Sequence, residues 1–220
     1  MFGVYPKNVH VIPSPTPKLP CGEYADQGDP WIFYPARLWP HKNRVVVLAA
    51  PKVRSAVYGI KLQCVLTGPD EGNLSYLLRF AYELGIKDQI DYQGLVSDEQ
   101  LACLYKRAFP LVYASAVGPD NLPPLEAMSL GCPVITADVP GAREQYGDAA
   151  LFFEPTDECA LADRIKTLLS EEVTRERLVH AGQQREARWT VEDFANAILS
   201  IYDESASVAR AWDRCDSAFT

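Results

Sequence analysis

Two cationic side chains follow an apolar run near the start of the chain, within residues 35–43 (PARLWPHKN). Arg37 and Lys42 are expected in the loop at the carboxyl end of a strand, which is where open α/β sheets bind ligands. Two cations there suit a diphosphate, because that group needs charge neutralisation and several hydrogen-bond donors. Spacing alone leaves the alternative open that both are solvated surface cations ahead of a helix.

The most informative segment is residues 118–135 (GPDNLPPLEAMSLGCPVI), where a loop turns into a short helix and then a buried strand. Proline is favourable near the first position of a helix, and the free N–H groups there form an anion site. Glu126 is expected in the first turn, where the helix dipole stabilises a carboxylate. That placement needs no ligand, but a carboxylate beside a phosphate site is also a natural acceptor for ribose hydroxyls.

Two further segments at predicted strand ends carry weaker signals. Gly68, within residues 67–72 (TGPDEG), lets the backbone approach a ligand or simply makes a turn, and the turn is the simpler interpretation. Leu95 and Val96, within residues 94–97 (GLVS), could form an apolar ledge for a nucleobase or only a strand–helix corner. The chain contains neither a Gly-x-Gly-x-x-Gly fingerprint nor a Walker sequence.

Short apolar runs alternate with helical patterns along the chain, and they predict the strands and helices that carry these residues. Such alternation is typical of an α/β fold, with a Rossmann-like parallel sheet and helices on both faces. Strands are predicted at residues 31–34, 62–67, 89–92, 111–114, 134–136 and 151–153. Helices are predicted at residues 44–53, 74–84, 98–107, 124–130 and 158–169, with a final helix from residue 190 to about Val208.

Domain boundaries follow from composition. Residues 9–20 (VHVIPSPTPKLP) are rich in proline and make a poor helix or central strand, although residues 10–12 could form a short one. We therefore predict an interdomain linker remnant at residues 1–20, a Rossmann-like domain at residues 21–208 and a tail at residues 209–220. A linker at the start of the chain suggests that another domain precedes it.

Composition limits the classes of function. The net charge is −8, with 29 acidic against 21 basic residues and no basic cluster, which excludes a nucleic-acid partner. Six cysteines are scattered without a Cys-x-x-Cys pair, which favours buried free thiols in a reducing compartment over a metal site. No apolar stretch is long enough for a membrane span, and no signal peptide is evident. A cytoplasmic protein is expected, and the lack of an Asp-x-Asp motif indicates ligand binding without a metal ion.

These segments, in this order, resemble the C-terminal domain of retaining glycosyltransferases of family four, which have the two-domain B-type fold. The resemblance covers residues 9–202. The sequence PARLWPHKN resembles the family's Arg-Leu-x-x-x-Lys segment, and GLVSDEQLACLY resembles its base-binding corner and the following helix. LPPLEAMSLGCPVI resembles the second half of its Glu-x7-Glu signature.

The resemblance implies donor-binding roles for the matching residues. Arg37 and Lys42 would contact the diphosphate of a UDP- or GDP-sugar, and Glu126 the ribose hydroxyls. The remaining contacts would come from Gly68, from Leu95 and Val96 at the base, and from the backbone at Leu122, Pro123 and Leu125 near the phosphates. The family's first glutamate, which contacts the sugar, falls at Gly118, so Asp120 or Asn121 would have to replace its contacts.

The expected function is the donor-binding domain of a glycosyltransferase that acts on a glycan or lipid-linked acceptor, in polysaccharide or glycoconjugate assembly. The acceptor site would lie on a missing N-terminal domain or partner subunit, and peripheral membrane association is expected only from the family. A second hypothesis is a non-catalytic nucleotide-sugar-binding module or split-enzyme subunit. A third is another enzyme on this scaffold, such as an epimerase or phosphorylase, for which the sequence shows no specific sign.

Overall fold

The computed structural model describes residues 9–20, 31–58, 62–117 and 122–216. Gly118, Asp120 and Asn121 lie outside these ranges. The described residues fall into two compact units, one within Pro17–Glu186 and the other within Met1–Thr16 and Ala187–Thr220. The first unit contains all the sequence-predicted site residues that the structure describes.

Six parallel strands form one sheet in the first unit. They are β1 (Trp31–Pro35), β2 (Gln63–Thr67), β3 (Ile90–Gly94), β4 (Leu111–Tyr113), β5 (Val134–Ala137) and β6 (Ala150–Phe153). Their order across the sheet is β3-β2-β1-β4-β5-β6, so the direction of winding reverses between β1 and β4. The side chains of β1, β4 and β5 are buried on both faces, as expected where helices cover both sides of a parallel sheet.

Seven α-helices connect or flank these strands within the described part of the first unit. They are α1 (Arg44–Tyr58), α2 (Leu74–Leu84), α3 (Asp98–Arg107), α4 (Leu122–Ser129), α5 (Ala142–Tyr146), α6 (Glu158–Ser170) and α7 (Glu172–Glu186). The second unit contains α8 (Val191–Asp216), and there the Trp189 indole donates to the Pro13 carbonyl at 2.9 Å. None of the described helices is both long enough and apolar enough to cross a membrane.

Local sequence signals account for several element boundaries. The Ser97 hydroxyl accepts from the Gln100 N–H at 3.3 Å, and the Gln100 side chain accepts from the Ser97 N–H at 2.9 Å. This capping box starts α3 as predicted. Gly85 ends α2 with a φ of +72°, in the left-handed region that favours glycine.

Close packing of α7 on α4 depends on Gly182. A Cβ atom at Gly182 would come within 2.9 Å of the Met128 Cγ atom on α4. Met128 is itself buried, so the missing side chain is what permits this approach. Because α4 carries Glu126, this contact helps to fix the position of a predicted site residue.

The parallel α/β fold is confirmed, and each predicted strand matches an observed one within two residues at either end. Residues 9–20 hold no regular secondary structure, so the short strand considered at residues 10–12 does not form. Helices α5 and α7 were not predicted, and α8 continues past Val208 to Asp216. The division at residues 20 and 208 stays a prediction.

The expectation of buried thiols holds for two of the described cysteine side chains. Cys64 and Cys132 are buried, Cys103 is half-buried and Cys159 is exposed. Cys21 and the Cys215 side chain lie outside the described part of the structure.

Candidate functional site

The predicted site residues gather at one edge of the sheet, because parallel strands all place their carboxyl ends on the same side. The loop after β1 carries Arg37 and Lys42, and the loop after β2 carries Gly68. Leu95 follows β3, and α4 begins at Leu122 beyond β4. The winding reverses between β1 and β4, and in open α/β sheets this is where a crevice forms outside the strand ends.

Lys42 links the two strands that border the reversal. Its ammonium group donates to the Tyr113 hydroxyl at 2.9 Å and to the Ser115 hydroxyl at 3.3 Å, both at the end of β4. Burial lowers the pKa of Lys42, and the nearby charge of Arg44 lowers it further. In the described ranges no carboxylate forms an ion pair with Lys42. Its charge is therefore open to an incoming anion.

The backbone around Lys42 is held on several sides. The Tyr34 hydroxyl of β1 donates to the Lys42 carbonyl, and the His41 carbonyl accepts from the Ala116 N–H at 3.0 Å. Asn43 adopts a left-handed conformation with a φ of 52°, and its side chain donates to the Pro155 carbonyl at 2.7 Å. The loop is thus tied to residues that follow both β4 and β6. Such fixing reduces the entropy that the loop would lose on binding a ligand.

Arg37 differs from Lys42 in its surroundings. Its side chain is 58% exposed and lies 2.6 Å from the Glu71 carboxylate in the loop after β2, while the guanidinium lies 5.7 Å from the centre of the Trp39 ring. An exposed ion pair of this kind contributes only about 0–1 kcal/mol. Arg37 can therefore exchange Glu71 for a phosphate at small cost.

Gly68 joins the loops that follow β1, β2 and β3. Its N–H donates to the Gly94 carbonyl at 2.7 Å, and its carbonyl accepts from the Tyr92 hydroxyl at 2.9 Å. A Cβ atom here would lie only 2.2 Å from the Ala36 carbonyl oxygen, and φ is +114°. Both backbone groups are in use, which favours the turn interpretation of Gly68 over a direct contact with a ligand.

Glu126 lies two residues deeper in its helix than the sequence suggested. Helix α4 begins at Leu122, two residues before the predicted start, so Glu126 is the fifth helical residue and the first-turn placement is wrong. The half-buried carboxylate accepts from the Tyr105 hydroxyl at 2.5 Å. Burial raises the pKa of Glu126, whereas the hydrogen bond from Tyr105 acts in the opposite direction. One carboxylate oxygen is thereby oriented by a buried phenol.

The beginning of α4 offers fewer donors than an ordinary helix start. Pro123 and Pro124 stand at the second and third helical positions and have no N–H. Only Leu122 and Leu125 can therefore supply N–H groups among the first four helical residues. Any anion bound here is held by these amides together with side-chain cations.

The two residues of the predicted apolar ledge directly follow β3. Leu95 is 78% exposed, whereas Val96 packs partly against the core. Gly94 precedes them with a φ of +65°, and the capping box of α3 follows. An exposed leucine held between two fixed backbone segments suits contact with a planar apolar face.

Sequence reasoning missed two site residues, Arg44 and Tyr105. Arg44 is only 2% exposed, and its guanidinium donates to the Arg37 carbonyl at 2.9 Å and to the Ala36 carbonyl at 2.5 Å. An arginine at the first position of a helix, directly before a run of valines, could have indicated a special role, because the dipole disfavours a cation there. Tyr105 lies in an amphipathic helix, where a tyrosine is typical of the core.

Among the described residues, no group of three or more His, Cys, Asp or Glu side chains is arranged to hold a metal ion.

The strand order and the polar carboxyl edge place the chain in the class of Rossmann-like α/β domains. The chain belongs to the family of group 1 glycosyl transferases, whose model matches residues 22–185. The resemblance found in the sequence is thereby confirmed at the level of the family.

Two curated relatives are O-antigen chain mannosyltransferases. RfbU from Salmonella typhimurium is 34% identical over 130 residues, which cover 59% of this chain and 36% of the relative. Mannosyltransferase B from Escherichia coli is 34% identical over 187 residues, which cover 84% of this chain and 48% of the relative. The chain therefore spans half or less of the length of these relatives.

Among solved structures, the chain is similar to HepE from Anabaena in complex with UDP and glucose. The TM-score is 0.70 at 20% identity, and the match covers 80% of this chain and 48% of HepE. At this identity the likeness shows a shared fold.

Proposed function

We propose that this chain is the donor-binding domain of a retaining glycosyltransferase, and that the carboxyl edge of its sheet binds a nucleotide-diphosphate sugar. The observation that carries the proposal is Lys42, a half-buried cation held between β1 and β4 by Tyr113 and Ser115. With no acidic partner in the described ranges, Lys42 suits a diphosphate lying across the reversal of the sheet.

Each part of the donor has a matching group at this edge. Lys42 and Arg37 would neutralise the diphosphate, assisted by the amides of Leu122 and Leu125. The Glu126 carboxylate would accept hydrogen bonds from the ribose, and the ledge at Leu95 would support the base. HepE was solved with UDP and glucose, and two relatives are named mannosyltransferases, which makes UDP- and GDP-hexoses the first donors to test.

Electrostatic stabilisation of the leaving group is the chemical role of these residues. When the glycosidic bond to the donor breaks, negative charge grows on the diphosphate while positive charge grows at the anomeric carbon. Fixed cations that face the diphosphate lower the energy of that state, because they need no reorganisation during the reaction. Retention at the anomeric carbon is part of this proposal and is supported by the family resemblance, and no residue of this chain is assigned as a covalent nucleophile.

The acceptor would bind to a domain or partner subunit outside this chain, in polysaccharide or glycoconjugate assembly. Two relatives are named O-antigen chain mannosyltransferases, which supports a role in glycan assembly. A cytoplasmic location, with peripheral membrane association of the full enzyme, belongs to the same proposal. The alternative of a non-catalytic nucleotide-sugar-binding module is favoured by one observation, which is Gly118 in place of the family's sugar-contacting glutamate.

Calorimetric titration with UDP, GDP and ADP, without added metal, tests the proposed donor site. We expect saturable binding of one nucleotide and a tenfold to hundredfold weaker affinity in Lys42→Ala, because a charged hydrogen bond contributes about 1.5–3 kcal/mol. Lys87→Ala is the matched control. Lys87 is exposed and directly precedes β3, so it lies at the amino ends of the strands, away from the proposed site. Unchanged affinity in Lys42→Ala refutes the role of Lys42, and no binding by the unmodified chain refutes the donor site itself.

A further inference from the structure

Arg44 is a buried cation behind the β1 loop. Its two terminal nitrogens donate to the backbone carbonyls of Ala36 and Arg37, and its guanidinium lies 4.7 Å from the centre of the Tyr34 ring. The Nε atom is buried and has no hydrogen-bond partner among the described residues. Among the described residues its hydrogen bonds are thus to neutral carbonyls and no carboxylate pairs with it, although it is only 2% exposed to water.

The ionisable groups that act on Arg44 do not neutralise it. They are phenols and a thiol, contributed by Tyr34, Cys64, Tyr113 and Tyr92. Burial raises the pKa of the Cys64 thiol and of the Tyr113 phenol to about 12 each, and it raises the pKa of Tyr34 further, so these groups are uncharged at neutral pH. The Tyr92 hydroxyl donates to the Gly68 carbonyl at 2.9 Å.

The position of Arg44 in the fold adds further positive charge around its guanidinium. It is the first residue of α1, where the helix dipole already places a partial positive charge. Lys42 lies two residues away and carries a second cation without an acidic partner in the described ranges. A buried charge without a counter-ion is costly to a fold, and such groups are ordinarily paired or hydrogen-bonded to acids.

We propose that Arg44 is a positioning residue of the diphosphate site: anchored on the Ala36 and Arg37 carbonyls, it supplies a buried positive charge that no acid of the described residues offsets and that an incoming anion would. The proposal rests on the proposed function, because it takes the carboxyl edge as the diphosphate site. Arg44 acts through the field at this edge and through the loop that carries Arg37 and Lys42, without touching the ligand. Its contribution therefore grows with the charge of the ligand.

Titration of nucleotides that differ in charge tests this role. UDP, GDP and ADP are compared with UMP, GMP and AMP on the unmodified chain and on Arg44→Met, Arg44→Lys and the control Arg79→Met. For the nucleoside that binds, we expect Arg44→Met to weaken the diphosphate about tenfold and the monophosphate about threefold, because the lost attraction scales with ligand charge. Arg44→Lys keeps the charge and is expected to stay within about threefold of the unmodified chain.

The control separates this effect from a general loss of surface charge. Arg79 lies on α2 with its guanidinium 5.8 Å from the Tyr76 ring, and Arg79→Met is expected to bind like the unmodified chain. Circular dichroism shows whether each variant is folded at the temperature of the titration. If Arg44→Met does not fold, Arg44→Lys decides the matter: retained affinity supports the proposal, and a tenfold loss for diphosphate and monophosphate alike overturns it.

The outcomes distinguish this inference from the proposed function. Diphosphate binding by the unmodified chain, with equal affinity in Arg44→Met, overturns the role of Arg44 and leaves the donor site intact. Equal losses for diphosphate and monophosphate in Arg44→Met indicate only a structural role and also overturn it. Absence of nucleotide binding in the unmodified chain overturns both proposals.

Discussion

The two cations of the β1 loop differ in what holds them. Lys42 donates to two hydroxyl groups and is half-buried, whereas Arg37 is exposed and paired with Glu71. Neutral partners leave the charge of Lys42 intact, while the carboxylate partner of Arg37 has to be displaced. Lys42 is therefore expected to contribute more to anion binding than Arg37, although the sequence presents them as an equivalent pair.

Glu126→Gln is predicted to separate stability from binding. Glutamine still accepts a hydrogen bond from Tyr105 and removes the penalty of a partly buried charge. At pH 7 we expect the free energy of unfolding to be equal to or about 1 kcal/mol above that of the unmodified chain. Nucleoside diphosphate affinity is expected to fall about tenfold, because the ribose loses a charged acceptor. Urea unfolding and calorimetry measure the two effects.

The pH dependence of stability provides the check on Glu126. Its pKa in the folded chain is raised above the ordinary value of 4.5. Between these two values the folded state binds more protons than the unfolded state, so stability falls as the pH rises through that window. Glu126→Gln is expected to lack this part of the fall when urea unfolding is repeated between pH 4 and pH 8. The same pH profile in both proteins contradicts the burial of an ionised Glu126.

At the scale of elements, the pattern of the sequence predicted the sheet well. Five of the six strands carry runs of apolar residues buried on one or both faces, and the spacing between them fits a helix in most connections. Capping chemistry placed the end of α2 and the start of α3 correctly, because Gly85 and Ser97 act through local hydrogen bonds. Such signals are readable from sequence since they involve only neighbouring residues.

The features that sequence reasoning missed depend on tertiary contacts. Helix α5 has only five residues, which is too short for a helical pattern to emerge. Helix α7 buries only Leu178 and Gly182, so it shows no apolar stripe. The hydrogen bond between Tyr105 and Glu126 joins α3 to α4. The hydrogen bond from Arg44 to the Arg37 carbonyl joins α1 to the loop after β1. The residue types of Tyr105 and Arg44 do not indicate which distant groups they bind.

A matched pair of glycine substitutions tests the close contact between the loops after β1 and β2. Gly68→Ala is expected to lower the free energy of unfolding by about 2–4 kcal/mol, since its Cβ would overlap the Ala36 carbonyl and its φ is unfavourable for alanine. Gly72→Ala has a comparable φ of +84° but no atom within 4 Å of its Cβ, and about 1 kcal/mol is expected. Urea unfolding compares the two, and equal losses would contradict the close approach at Gly68.

At the scale of the whole molecule, the chain spans half or less of the two mannosyltransferases that it resembles. In the described residues, cations, a carboxylate and an exposed leucine follow the carboxyl ends of the strands of one sheet, which supports the proposed donor site. No group at this edge is assigned to an acceptor. The proposed division of labour therefore assigns donor binding to this chain and acceptor binding elsewhere.

Isolated from any partner, this chain is predicted to bind nucleotide but to transfer no sugar. Incubation with radiolabelled UDP- and GDP-hexoses and a lipid-linked or glycan acceptor is expected to give no labelled product, because the acceptor is not held near the anomeric carbon. The full-length mannosyltransferase B from Escherichia coli serves as the positive control for the assay. Labelled product from the isolated chain would show that the acceptor site lies within it.

A crystal structure of this chain with the nucleoside diphosphate selected by calorimetry tests the location of the proposed donor site by direct observation. We predict that the diphosphate lies at the carboxyl edge of the sheet, with Lys42 within hydrogen-bond distance of a phosphate oxygen. Glu126 is expected to accept from the ribose, and the base is expected to lie against Leu95. A nucleotide bound elsewhere on the molecule, with Lys42 still bonded only to Tyr113 and Ser115, would contradict the donor site.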